Sequence, residues 1–141
     1  MGVDVSTVRH PTTASWFARS LPVDQSAPSA ARRFTHELLQ CYELNGLADT
    51  VQLLVSELVS NVVRHAEAPL VVRIACDHDI IRVEVDDGSA LWPVIVPSRS
   101  LGEAGRGLGI VDGVASRWGV DRRPGGKSVW FELDVLAPLD R

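Results

Sequence analysis

Glu57, Asn61 and His65 recur at four-residue spacing within the segment LLVSELVSNVVRH. A helix turns about 100° per residue, so these three side chains would share one slanted ridge. Together they suit proton transfer and cation chemistry: a carboxylate can act as general base, and an amide oxygen can ligate a Mg2+ that bridges phosphates. Val51, Leu54, Val55, Leu58, Val59, Val62 and Ala66 fill the neighbouring arc, which puts the ridge at the border of a core-facing surface. Taken alone, the same row is equally a hydrogen-bonding strip along a helix. His65 in particular suits packing or hydrogen bonding as well as it suits chemistry.

A second constellation follows from strand alternation. Val83, Val85 and Asp87 fall on one face of a predicted strand, so Asp87 continues an apolar row. A carboxylate buried there needs donors, since an unpaired one costs several kcal/mol. The exocyclic amine of an adenine is one such donor, and Gly88 would let backbone pass close to a ligand. The competing reading makes Asp86-Asp87-Gly88-Ser89 an ordinary turn, and Asp86 takes the role if the register shifts by one residue. Further on, GRGLG places glycines at 105, 107 and 109 ahead of a predicted helix over 108–116. A loop leading into a helix N-terminus offers backbone N–H groups and a positive dipole end to phosphate oxygens. The string matches neither a P-loop nor a strand-led dinucleotide fingerprint. Arg106 either touches a phosphate or is solvated. Near the end, Gly125-Gly126-Lys127-Ser128 reads as a hairpin turn, or else Ser128 hydrogen-bonds an adenine or the carboxylate that holds it. Carboxylate and amide groups together with Mg2+ and a helix N-terminus suffice for phosphoryl transfer, which rests on positioning and charge stabilisation.

These residues need elements to hold them. ASWFARSL, residues 14–21, predicts an edge strand stopped by Pro22, and Asp24 and Ser26 can cap a helix running to Asn45-Gly46. A second helix, capped by Asp49 or Thr50, carries the ridge to about Ala66, with Pro69 beyond it. LVVRIAC and IIRVEV flank the turn Asp77-His78-Asp79 and predict a hairpin. After a long connection comes the GRGLG helix, then a strand over 118–121, the turn RRPGGK and a last strand over 128–136. The order β-α-α-β-β-loop-α-β-β predicts an α+β fold, a two-layer α/β sandwich with helices on one face of a mainly antiparallel mixed sheet. The expected organisation is a leader over 1–13 and one domain over 14–141.

Composition narrows the function. With 141 residues, 45% hydrophobic and 23% charged, the chain can bury a core without a metal or disulfide staple. A net charge of −4 argues against direct nucleic-acid binding. Cys41 and Cys76 lack CxxC spacing, and the start lacks the apolar stretch of a signal peptide, which predicts a reduced, cytoplasmic protein. No apolar run approaches the ~20 residues that span a bilayer, so no membrane role is expected. The four histidines, at 10, 36, 65 and 78, show no metal-ligand spacing.

In order, the chain presents ExxxN (Glu57, Asn61), a strand-end Asp-Gly-Ser (Asp87, Gly88, Ser89), GRGLG and GGKS. This order resembles the Bergerat ATP-binding fold of the GHKL superfamily, which includes histidine kinases and gyrase-type topoisomerases. SELVSNVVRHA, GRGLGIVDGVASRWGV and GKSVWFEL look most like its single-domain bacterial anti-sigma factor serine/threonine kinases, over roughly residues 26–136. The resemblance implies ATP and Mg2+, with Glu57 as catalytic base, Asn61 as Mg2+ ligand and Asp87 as adenine reader. Gly88, His65 and Ser128 join the nucleotide site, and Gly105, Arg106, Gly107, Leu108 and Gly109 form the phosphate-facing end of the ATP lid. It also implies phosphorylation of a STAS-type anti-anti-sigma partner, competing binding of a sigma factor, homodimerisation, and partner contacts at Arg32 and Arg33. The family's DxGxG reads here Asp87-Gly88-Ser89-Ala90-Leu91, with both later glycines replaced. The alternatives are a non-catalytic ATP-binding switch, which Glu57→Gln would separate from a kinase, and a detached histidine-kinase catalytic domain.

Overall fold

Strands of alternating valine, isoleucine and phenylalanine and helices with one apolar stripe can bury those surfaces only against each other, and the chain does so in two layers. The computed structural model describes residues 15–41, 45–65, 69–77, 79–89 and 106–135. Along the chain come β1 (Trp16–Leu21), α1 (Ala27–Cys41), a single 3-10 turn (Asn45–Leu47), α2 (Ala48–Arg64), β2 (Leu70–Cys76), β3 (Ile80–Asp87), α3 (Arg106–Val114), β4 (Arg117–Arg123) and β5 (Gly126–Asp134). The five strands form one sheet in the order β1-β2-β3-β5-β4, every pairing antiparallel. The fold is thus α+β, a two-layer sandwich. The sheet expected to be mixed is wholly antiparallel among the described strands.

Register rows explain the core. Val72, Val85 and Val129 lie abreast on three neighbouring strands, and Ile74, Val83, Phe131 and Trp118 form the next row. These join Phe34, Leu38 and Leu39 of α1 and Val51, Leu54, Val55, Leu58, Val59 and Val62 of α2 in one buried cluster. The helices therefore sit on this face. α1 packs on α2, and α2 packs on α3 and on β3.

The opposite face is paved with ion pairs. Arg82 donates to Glu84 at 2.9 Å and to Glu132 at 2.8 Å, and Arg117 donates to Glu132 at 2.8 Å. Asp134 and Glu132 push the Arg117 guanidinium further above its ordinary value. Arg82 also lies over the Trp130 ring, 4.1 Å from its centre.

Several boundaries differ from expectation. α1 stops at Cys41. Asp24 does serve its start, accepting from the Ser26 amide at 2.8 Å and from the Ser26 hydroxyl, bonds that hold its carboxyl below the usual range. α2 starts at Ala48 with no side-chain cap, leaving Asp49 in the first turn, where a carboxylate suits the helix dipole. α3 begins at Arg106, so Gly107 and Gly109 lie inside it rather than ahead of it. Burial of Val111 and packing against α2 outweigh the low helix propensity of glycine. β4 is longer than expected and β5 starts two residues earlier, so both reach closer to the turn at Pro124-Gly125, where Gly125 takes φ 80°.

Candidate functional site

Residues 65–69 alone join the end of α2 to the start of β2, so the C-terminal turn of α2 lies at the sheet end where β2 begins. Antiparallel pairing brings the end of β3 and the start of β5 to that same place, because Val71 faces Asp86 and Asp87 faces Lys127. Asp87 and the β5 entry thereby meet, although they lie far apart in sequence, and α2, which carries the ridge, packs on β3.

On α2 the ridge occupies the border that its spacing implies. Its apolar arc is buried from Val51 to Val62, with Ala66 outside the described residues, while Glu57 and Asn61 are half-buried and His65 is exposed. No described side chain pairs with the Glu57 carboxylate. Arg64 donates to the Asn61 side-chain oxygen at 3.2 Å. His65 is where the helix stops, its amide donating to the carbonyls of Asn61 and Val62.

On β3 the alternation holds to its last residue. Val83, Val85 and Asp87 are 0%, 1% and 6% exposed, all on the helix-covered face. Asp86 points to the other face and pairs with Arg73. The Asp87 carboxylate accepts through Oδ1 from the Ser89 amide at 2.7 Å and from Lys127 Nζ at 3.0 Å. Ser89, which replaces a motif glycine, thus closes a turn that fixes this carboxylate. Gly88 is half-buried beside it. A Cβ added at Gly126 would run into the Asp87 carbonyl, so the two strands can meet this closely only at a glycine.

Ser128 is placed otherwise than expected. It lies opposite Asp86 on the ion-paired face, fully buried, its hydroxyl bonded to nothing in the described structure. The strand period decides this: Val129, Phe131 and Leu133 face the core, so 127 shares their face and 128 does not. Lys127 is the residue that sequence reading missed, although the V-x-F-x-L alternation carried the signal. Gly105 lies outside the described residues. Arg106, Gly107, Leu108 and Gly109 form the first turn of α3, a helix that packs on α2.

A buried carboxylate at a strand end, an acid-amide ridge on a neighbouring helix and a further helix thus lie on the covered side of one antiparallel sheet. The family profile of the histidine kinase-like ATPase domain matches residues 21–133, and the chain belongs to that family. Its domains are ATP-binding and kinase-like, with Mg2+ the usual companion of the nucleotide. No curated protein matches the sequence.

The donor set suits such a ligand. Asp87 keeps Oδ2 clear of both of its described bonds, and Asn61 presents an amide oxygen, a hard donor of the kind Mg2+ takes. No helix among the described residues is long and apolar enough to cross a membrane.

Proposed function

We propose that this protein is an ATP-dependent serine/threonine kinase that acts as an anti-sigma regulator, phosphorylating a STAS-type anti-anti-sigma protein and binding a sigma factor in competition with it. The observation that supports the reading is half-buried Glu57, with which no described side chain pairs, one helical turn from Asn61 on the helix that packs on β3, the strand that ends in buried Asp87. Asp87 would accept from the 6-amino group of adenine, and Asn61 would hold Mg2+. The metal, when bound, neutralises phosphate charge. Glu57 takes the proton of the acceptor hydroxyl as its oxygen attacks the γ-phosphorus and ADP leaves. The first turn of α3, Arg106 to Gly109, offers its amides to the phosphates. His65 and Gly88 lie at the margin of the nucleotide, and Arg32 and Arg33, both exposed on α1, face a partner. A homodimer in the cytoplasm completes the reading.

Mg-ATP calorimetry tests the site: wild type binds saturably and Asp87→Ala does not. Phosphotransfer to STAS candidates tests the chemistry. Glu57→Gln should keep ATP binding and lose transfer by at least about 10²-fold, the usual worth of a positioned base. Transfer at the wild-type rate by that variant would overturn the kinase assignment.

A second reading, an ATP-binding switch without catalysis, draws on the bond from Arg64 to Asn61, which engages the oxygen assigned to Mg2+. It predicts nucleotide-dependent partner binding with no transfer.

A further inference from the structure

Lys127 is 8% exposed, and Asp87, across the β3–β5 pair, is 6% exposed. Lysine almost never sits so deep unless it is paired. Its ammonium has three protons: one is committed to Asp87 Oδ1 at 3.0 Å and a second is directed at the Ser89 carbonyl at 3.5 Å. The Ser89 amide also donates to Oδ1, at 2.7 Å. Among the described residues the pair therefore retains an acceptor, Oδ2, next to a charged donor, the third Nζ proton.

An acceptor beside a donor is the complement of one edge of a nucleobase. Adenine offers N6–H as donor and N1 as acceptor. A 6-oxopurine reverses the two, offering O6 as acceptor and N1–H as donor. A carboxylate alone would repel O6, but an ammonium on a four-carbon stem can follow the acceptor to either position.

We propose that Lys127 is a second base-reading residue, which pairs with Asp87 to read both hydrogen-bonding groups of the purine N1/C6 edge and so admits 6-oxopurine nucleotides alongside ATP. The inference rests on the nucleotide reading of the Asp87 site given above. It adds to that reading a residue and a class of ligand.

The test is calorimetric titration of the folded full chain with Mg-ATP and Mg-ITP, repeated with Lys127→Met and Lys127→Gln and with circular dichroism on every sample. Wild type is expected to bind the two nucleotides within about tenfold of each other. Lys127→Met should widen the gap in favour of ATP by more than about tenfold, the worth of one hydrogen bond to a charged group. Lys127→Gln, with an amide donor, should fall between. Rejection of ITP by a wild type that binds ATP would overturn the inference alone, and needs no variant to fold. An unchanged ATP-to-ITP ratio in Lys127→Met, or tighter ATP binding by it, would also overturn it, the latter by showing that the lysine plugs the pocket. Binding of neither nucleotide by folded wild type would take down the nucleotide reading and this inference together.

Discussion

A carboxylate as deeply buried as that of Asp87 persists because two donors, an amide and an ammonium, meet it on one oxygen. The same environment-against-group reasoning separates the two thiols. Cys76, 1% exposed at the end of β2, has its thiol pushed up to about 12 by burial and then by the charge of Asp77, whereas Cys41 is exposed at the end of α1. At pH 8 a disulfide thiol reagent should therefore titrate one cysteine quickly and the second only after denaturant is added. Replacing Cys41 with serine should abolish the fast phase; a fast phase that survives would contradict the burial of Cys76. Because the folded value of Cys76 lies above the unfolded value of 9.0, its contribution to stability is intact below pH 9 and is lost as pH rises through about 12.

At the scale of elements, α2 has two jobs: one arc seals the core while its border presents Glu57 and Asn61. Leu53 and Leu54 are neighbours in sequence with opposite fates, 44% and 0% exposed. Leu54→Ala should cost about 2–5 kcal/mol in urea unfolding, while Leu53→Ala should stay within about 0.5 kcal/mol of wild type. Equal losses would mean that the helix is rotated. The β3–β5 pairing has its own critical point at Gly126, where the atom that an added methyl would meet is backbone and cannot swing aside. Gly126→Ala should lower stability by about 1–3 kcal/mol through overpacking, and it should weaken nucleotide binding more than Leu54→Ala does, since the displaced backbone is that of Asp87. Thermal melts with and without Mg-ATP would separate the two effects.

At the scale of the molecule, the sheet has one face glued by apolar side chains and the other by charge. Glu132 is fully buried between Arg82 and Arg117 and ties β3, β5 and β4 together. Glu132→Ala should cost about 3–5 kcal/mol by leaving those guanidinium groups short of a partner. The loss should change little between low and physiological salt, because buried pairs are poorly screened; a loss that salt erases would place the network at the surface. How much of this was legible beforehand follows from the range of the forces involved. Periodicity is local, so the α2 ridge, the β2–β3 hairpin, the place of Asp87 on the covered face and the α+β sandwich could all be read from residue order. Boundaries such as the start of α3 could not, because packing against α2 overrides the preference of glycine to end or precede a helix. Above all, the meeting of Asp87 with Lys127 rather than Ser128 required the β3–β5 register. That register joins residues forty positions apart, and a shift of a single residue would exchange one face for the other.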